Sequence, residues 1–217
     1  MKIKLFAKEK PGLREAIDFL ETITDDLEIY IGKLKDKFPI EAKDKKCDLI
    51  ISYISPWIIP NDILNLAEKY AINFHPGPPE FPGIGCTNFA LYEGAKKFGV
   101  TCHIMKSKVD SGKIISVKRF PIFQQDNVKT LTDRCYAFIL EQFYEVVNDF
   151  YESGKLNFIN ETWKRKPFTR KQLDELSEIH FNMSDEEINK RIRATYYPGM
   201  PYPFIEINNN KFVYNPR

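Results

Sequence analysis

The segment around Asn73 and His75 contains the side chains with the clearest chemical potential in the chain. An apolar run at 71–74 predicts a strand that ends at the histidine, and a stiff proline-rich loop follows it. Because alternate residues of a strand face the same way, the two side chains should project together. Imidazole exchanges protons near neutral pH, and an amide N–H can stabilise an oxyanion. The pair is a candidate catalytic centre; a purely structural histidine is the alternative.

A second candidate is Asp110, in the segment Val109-Asp110-Ser111-Gly112. Aspartate, serine and glycine are common turn residues, so an ordinary turn is one interpretation. A carboxylate close to His75 would instead orient the imidazole and favour its charged form. The local sequence leaves both interpretations open.

Three other residues have weaker claims. His103 lies in a predicted strand and is expected to be buried and structural, whereas His180 lies in a polar stretch and is expected on the surface. Cys86 has no local base and is expected to be a small packed side chain. The chain has no P-loop and no dinucleotide glycine fingerprint, which argues against a nicotinamide site.

Composition limits the classes of protein to consider. The 217 residues suit one sizeable domain, or one domain with a small appendage, and 43% of them are hydrophobic. The net charge of +2 gives no strong field for nucleic acid or membrane, so neither is expected as a partner. The four cysteines lack zinc-site spacing, so no metal is expected. Without an apolar leader, the protein is expected to be cytoplasmic.

Strand and helix patterns alternate through the first two thirds of the chain, which predicts an α/β fold with helices on both faces of a mostly parallel sheet. The predicted strands are 2–6, 48–54, 71–74, 100–105 and 114–120, and the last two are expected to pair antiparallel. The predicted helices are 12–22, 61–70, 88–97 and 130–153. In these helices, Thr87 and Thr130 are expected as caps, and Gly99 and Gly154 as terminators.

The last third of the chain has a different character. A capping box at Ser184 predicts a helix to about 193, an aromatic, proline-rich stretch covers 196–204, and a hairpin is predicted around Asn208–Asn210. The sequence therefore predicts an N-terminal α/β catalytic domain at 1–155. Residues 156–217 form a C-terminal extension for substrate contacts or dimerisation.

Asn73-x-His75, followed by Asp110-x-Gly112-x-Ile114-Ile115, resembles the signature of the folate-dependent formyltransferases. The resemblance implies a formyltransferase-type Rossmann-like sheet with a small C-terminal helix and hairpin. It also implies 10-formyltetrahydrofolate as co-substrate and a direct transfer of the formyl group, without a metal. In this family His75 would act as general base toward an attacking amine, and Asn73 would hold the oxyanion. Asp110 would orient His75 or a water and help deliver a proton to the departing folate nitrogen.

The resemblance also implies the binding residues. The folate pterin would lie against backbone at two loops, formed by Trp57, Ile58 and Ile59 and by Lys108, Val109 and Asp110. A sugar pocket would be shaped by Gly77, Pro78 and Pro79. Pyrophosphate contacts would come from Lys8 and Lys10. The aromatic stretch with Tyr197 and Tyr202 would either stack on a nucleotide base or form the interface of a homodimer, and both options stay open.

The proline-rich segment 76–83 resembles the sugar N-formyltransferase branch, which acts on nucleotide-linked amino sugars of bacterial surface polysaccharides such as the O-antigen of lipopolysaccharide. The implied acceptor is a dTDP-linked amino-dideoxy sugar, with dTDP-4-amino-4,6-dideoxyglucose favoured. The chain length predicts no additional tRNA-binding barrel. The alternatives are a purine enzyme similar to glycinamide ribonucleotide transformylase, or a catalytically idle binder of folate or sugar nucleotide. The position of the amine, C-3 or C-4, and the nucleotide, dTDP or GDP, stay open.

Overall fold

The computed structural model describes residues 1–216, and its main element is a six-stranded sheet in the order β2-β1-β3-β4-β5-β6. The strands of this sheet are β1 (Lys2–Lys8), β2 (Asp26–Gly32), β3 (Cys47–Tyr53), β4 (Ala67–His75), β5 (Lys97–Ile104) and β6 (Ile114–Pro121). The helices are α1 (Leu13–Ile23), α2 (Asn61–Leu64), α3 (Cys86–Tyr92), α4 (Val128–Ser153), α5 (Arg170–Ser177) and α6 (Asp185–Thr195). A separate hairpin comprises β7 (Phe204–Ile207) and β8 (Asn210–Val213).

The first four strands of the sheet order run parallel, and β5 is antiparallel to both of its neighbours. The predicted α/β class, the mostly parallel sheet, the antiparallel β5–β6 pair and the C-terminal hairpin are confirmed. The reversal at β5 matters for the site, because it places Asn73 opposite His103 and His75 opposite Thr101. Side chains from two strands therefore meet on one face of the sheet.

The two faces of the sheet carry different cores. The larger core joins the sheet to α1 and α4, and it includes Ile72, Phe74 and Cys102. Because strand side chains alternate, Asn73, His75 and His103 lie on the opposite face. That face carries a smaller core, which includes Phe6 and Ile50 with Phe38 and Trp57 packed against it.

Three predicted boundaries are wrong. The helix predicted at 61–70 is a single turn, α2, because Ala67 and Tyr70 pair with β3 across a bulge and extend β4 instead. Helix α3 is capped at Gly85 rather than Thr87, and it ends before Gly94, which has a φ of 69°. Helix α4 is capped by Asn127, whose side chain accepts from the backbone N–H of Thr130.

Two elements escaped prediction. Strand β2 is an edge strand whose apolar and polar residues alternate, and α5 begins inside a stretch that looks only polar and basic. Other predictions hold: Gly154 ends α4 in the left-handed conformation, and Asn208 and Asn209 turn the hairpin with positive φ values. Within residues 1–216 no helix has the length and apolar character needed to cross a membrane.

Gly99 provides a test of the β5–β6 pairing, since it lies inside β5 instead of ending a helix. A Cβ at Gly99 would lie 2.3 Å from the backbone oxygen of Lys118 in β6. We expect Gly99→Ala to lower the free energy of unfolding by about 3 kcal/mol, because overpacking forces the strands apart. Gly94→Ala, where a Cβ meets open space but φ is 69°, should lose about 1 kcal/mol. Urea denaturation measures both, and equal losses would contradict the close approach.

Candidate active site

The candidate site lies on the sheet face opposite α4, where β4 and β5 meet the loop that connects β5 to β6. Asn73 and His75 come from β4, His103 from β5, and Asp110 from the loop. His75, His103 and Asp110 are all buried. The structure thus brings together the three residues predicted to be catalytic and adds His103, which was expected to be only structural.

Asp110 is the centre of the cluster. Its Oδ2 atom lies 3.4 Å from Nδ1 of His75, and its Oδ1 atom lies 3.3 Å from Nε2 of His103. The backbone N–H of Gly83 donates to Oδ2 at 2.7 Å. Asp110 has a φ of 44°, a left-handed conformation that is uncommon for a residue with a side chain. The loop is therefore held in an unusual conformation that directs one carboxylate at two imidazoles.

The electrostatics of this cluster favour a charged carboxylate beside a neutral imidazole. Burial opposes ionisation of Asp110, but the two histidines and the Gly83 N–H outweigh it and lower the pKa of Asp110 to about 2. For His75 burial dominates and lowers its pKa below the ordinary value of 6.5, with Asp110 acting in the opposite direction and His103 in the same direction. At neutral pH the His75 imidazole is thus a proton acceptor.

Asn73 is engaged by His103. Its Nδ2 atom lies 3.0 Å from Nε2 of His103, whose Nδ1 atom is 2.8 Å from the carbonyl oxygen of Ile104. The Ile104 carbonyl accepts from Nδ1, so Nδ1 carries a proton, and Nε2 lies between the Asn73 amide and Oδ1 of Asp110. A protonated Nε2 donates to the carboxylate, whereas an unprotonated Nε2 accepts from the amide. Because an asparagine amide has two N–H donors, one N–H can contact His103 while the second remains for a ligand.

The proline-rich loop packs against the other side of His75. Nε2 of His75 lies 3.5 Å from the carbonyl oxygen of Phe81, and a Cβ at Gly77 would lie 2.6 Å from Nε2. Thr101 donates to the Gly77 carbonyl at 2.8 Å, and Cys86 donates to the Pro76 carbonyl at 3.0 Å. Burial raises the pKa of the Cys86 thiol to about 12, which fits the expected packing role and not that of a nucleophile.

Trp163 also lies at the site, although no sequence pattern indicates it. Its indole N–H donates to the carbonyl oxygen of Gly112 at 2.9 Å. The ring meets the imidazole of His103 edge-on, with centroids 5.0 Å apart, and that of His75 at 6.0 Å. Trp163 lies in the basic segment Trp163-Lys164-Arg165-Lys166, and no local pattern connects it to the histidines. His103 was easier to find, because pairing β4 with β5 places it opposite Asn73.

The residues predicted to contact folate form two groups. In the first, the side chains of Trp57 and Ile59 pack into the smaller core and Ile58 is exposed. In the second, Lys108 and Val109 are exposed beside the buried Asp110. Strand registers place Phe6, Ser52, Asn73 and His103 in one row across four neighbouring strands, and the Phe6 ring meets that of Trp57 edge-on at 6.4 Å. The aromatic cluster of the smaller core therefore shares a sheet face with Asn73 and His103.

The residues predicted to contact the acceptor are more dispersed. Gly77, Pro78 and Pro79 are buried beside His75. The ammonium of Lys10 lies 5.6 Å from the ring of Tyr136, and burial followed by the charge of Lys8 lowers the pKa of Lys10. Tyr197 packs against the larger core.

Tyr202 is engaged within the C-terminal extension. Its hydroxyl donates to Asp174 at 2.5 Å, and its ring packs near Phe204 of the hairpin. For metals, residues 1–216 contain no group of three or more His, Cys, Asp or Glu side chains that could hold an ion.

The chain is similar in sequence to known formyl transferases. The sequence model described as formyl transferase matches residues 33–147. Methionyl-tRNA formyltransferase of Listeria innocua is 29% identical over 164 residues, which cover 75% of this chain and 51% of the relative. The chain therefore spans about half the length of the curated relatives it matches.

Solved structures share the fold over nearly the whole chain. A sugar N-formyltransferase from Shewanella is 17% identical, with a TM-score of 0.80 and coverage of 99% of this chain and 96% of that chain. An N-formyltransferase from Helicobacter canadensis, solved with folinic acid and dTDP-3-aminofucose, is 17% identical, with a TM-score of 0.75 and coverage of 98% and 87%.

The segment matched by the family model contains Asn73, His75, His103 and Asp110. It also covers more than half of the chain. The protein belongs to the formyl transferase family.

Proposed function

We propose that the protein transfers a formyl group from 10-formyltetrahydrofolate to the amine of a dTDP-linked amino-dideoxy sugar. The observation that carries this proposal is the buried cluster in which Asp110 lies 3.4 Å from Nδ1 of His75 beside the amide of Asn73. Acyl transfer to an amine requires two groups: a proton acceptor for the amine, and a hydrogen-bond donor that stabilises the oxyanion of the intermediate.

In the proposed reaction, the neutral amine of the sugar attacks the formyl carbon and forms a tetrahedral intermediate. The free N–H of the Asn73 amide stabilises the oxyanion. His75 is held through its Nδ1 proton by Asp110, so that Nε2 accepts the proton that the amine loses. Collapse breaks the bond between the formyl carbon and the folate N10. The proton held by His75 passes to N10, so that tetrahydrofolate leaves and His75 returns to its neutral form. The products are the N-formyl sugar and tetrahydrofolate.

The position of the folate is proposed from the shared sheet face. The pterin would lie near the backbone at 57–59 and 108–110, between the aromatic cluster around Trp57 and the row that contains Asn73. The Helicobacter canadensis relative was solved with folinic acid, which supports a folate co-substrate for this chain.

The proposed acceptor site uses the other side of His75. The loop with Gly77, Pro78 and Pro79 packs beside the imidazole, and Lys8 and Lys10 lie where β1 leads into α1. We assign these lysines to the pyrophosphate, and Tyr197, which packs on the larger core, to the neighbourhood of the nucleotide base. Tyr202 we assign to the extension's own packing, since it contacts Asp174 and Phe204. We keep the division into a catalytic domain at 1–155 and an extension at 156–217.

The first test is mutation of the cluster. We expect His75→Asn and Asp110→Asn to lower the rate of formyl transfer by about 10²–10⁴-fold, because the first removes the proton acceptor and the second removes the carboxylate that orients it. His180→Asn is the matched control, since His180 is exposed and contacts only Glu178 among the acidic side chains. Thermal unfolding shows whether each variant keeps its fold. Wild-type rates in both cluster variants would contradict the catalytic assignment.

The second test identifies the acceptor. The purified protein and 10-formyltetrahydrofolate are combined with five acceptors in parallel, and formylation is followed by mass spectrometry. These acceptors are dTDP-4-amino-4,6-dideoxyglucose, its 3-amino counterpart, a GDP-linked amino sugar, glycinamide ribonucleotide and methionyl-tRNA. We expect the highest kcat/KM for the dTDP-4-amino sugar. Preference for glycinamide ribonucleotide or methionyl-tRNA would contradict the sugar assignment, and binding without turnover would indicate an idle binder.

We further propose that the hairpin mediates a homodimer. Every residue of β8 is exposed, including Phe212 at 59%, and a two-stranded hairpin has little stability of its own. A second copy of the same hairpin would cover this apolar surface symmetrically.

Sedimentation velocity tests the dimer. We expect Phe212→Glu to convert a dimer to a monomer, because a buried unpaired carboxylate would disfavour the interface. Phe181→Glu is the control, because Phe181 is 80% exposed outside the hairpin and the same substitution there should leave the dimer intact. A monomeric wild-type protein would contradict the proposal.

A further inference from the structure

The segment 156–169, which we call the strap, leads from the end of α4 to the start of α5 and forms no helix or strand of its own apart from a single bridge at Phe168. It crosses the sheet face that carries the imidazoles and joins two loops that do not otherwise adjoin in sequence. One is the loop around Asp110, and the other is the proline-rich loop at 76–83.

Backbone and indole hydrogen bonds attach the strap to both loops. On the Asp110 side, the N–H of Ile159 donates to the Ile114 carbonyl at 3.1 Å, and the Trp163 indole donates to the Gly112 carbonyl at 2.9 Å. On the proline side, the N–H groups of Lys164 and Phe168 donate at 2.9 Å to the carbonyls of Pro79 and Pro82. The strap is thus fixed at both margins of the site.

Side chains hold the strap in the same position. The ring of Phe168 stacks on Phe89 of α3 with centroids 3.8 Å apart. Arg165 pairs with Glu93, also beside α3, through both guanidinium nitrogens. Arg119 of β6 pairs with Glu161 of the strap and with Glu80 of the proline-rich loop. The strap is therefore anchored on structured elements, and Trp163 lies between the anchors.

We propose that Trp163 is a positioning residue for the reaction: its indole ring covers the paired imidazoles, and its N–H fixes the loop that carries Asp110. The two functions come from one side chain, since the ring meets both histidines edge-on while the nitrogen binds Gly112, two residues after the carboxylate. Trp163 acts on His75 and Asp110 and needs no contact with substrate. The inference rests on the proposed function for its kinetic consequence only.

The physical consequence is the exclusion of water from His75. The charged and titratable groups that act on His75 are Asp110 and His103, the nearby Cys86 thiol donates to the Pro76 carbonyl, and the strap contributes the ring of Trp163. Removing that ring would let water reach the imidazole and stabilise its protonated form. The pKa of His75 would then rise toward the ordinary histidine value, and the acid limb of the pH–rate profile would move to higher pH.

The experiment compares three variants of the full chain. Trp163→Ala removes the cover and the hydrogen bond, whereas Trp163→Phe keeps an aromatic ring and removes only the N–H. Phe158→Ala is the matched control. Phe158 is an exposed aromatic residue of the strap, and its ring lies 5.6 Å from the ammonium of Lys113. Two readouts are used: NMR titration of the imidazole Cε1–H of His75, assigned with His75→Asn, and kcat as a function of pH.

We expect Trp163→Ala to raise the midpoint of the His75 titration and to lower kcat by about 100-fold, as displacement of a catalytic group does. Trp163→Phe should keep the wild-type midpoint of the His75 titration. Its kcat should fall about tenfold, because the hydrogen bond from the indole N–H to Gly112 is lost. Phe158→Ala should match the wild type in both. Wild-type midpoints and rates in folded Trp163→Ala would overturn the proposal.

Two safeguards keep the result decisive. If Trp163→Ala does not fold, Trp163→Phe decides, since unchanged kcat there would show that the indole N–H positions nothing. If the wild type formylates none of the acceptors, the proposed function fails. The NMR titration still reports whether Trp163 shields His75. The two failures are therefore distinguishable.

Discussion

The structure of the site depends on one buried carboxylate shared by two imidazoles. Asp110 remains charged in a nearly dry position because His75, His103 and the Gly83 N–H surround it, and a buried charge without such partners would be strongly unfavourable. The left-handed backbone at Asp110 is maintained by the same contacts, since the loop has no regular structure of its own. The ionised Asp110 orients the imidazole of His75, and burial keeps that imidazole neutral.

The sheet provides this cluster with its geometry. The antiparallel entry of β5 beside β4 places His103 opposite Asn73, so that the amide and both imidazoles lie on one face. The opposite face carries the large core under α4, which fixes the strands without occupying the site. The face that carries Asn73, His75 and His103 is closed by irregular segments instead, namely the proline-rich loop and the strap. This division separates the sheet scaffold from the loops that surround the candidate site.

Much of the fold could be predicted from sequence, because period-two and period-3.6 patterns report burial directly. Asn73 and His75 could be found at a predicted strand end, whereas Asp110 could be grouped with them only because the combined motif resembles that of the folate-dependent formyltransferases. The helix predicted at 61–70 failed because Tyr70 gains more from pairing with β3 than from helical propensity. The contact of Trp163 with the imidazoles could not be predicted, because it depends on the path of a segment far along the chain. Pattern analysis detects which face is buried, but not which distant segment covers it.

The hydrogen bond from Gly83 to Asp110 has a thermodynamic consequence. Gly83 ends the proline-rich loop, and its N–H is one of the groups that keep the carboxylate charged. A ligand that shifts this loop therefore changes the proton affinity of the Asp110–His75 pair. By linkage, the protonation state of the pair changes the affinity for that ligand by the same factor. If the acceptor binds at this loop, as proposed, its affinity and the proton affinity of the pair report one coupling free energy.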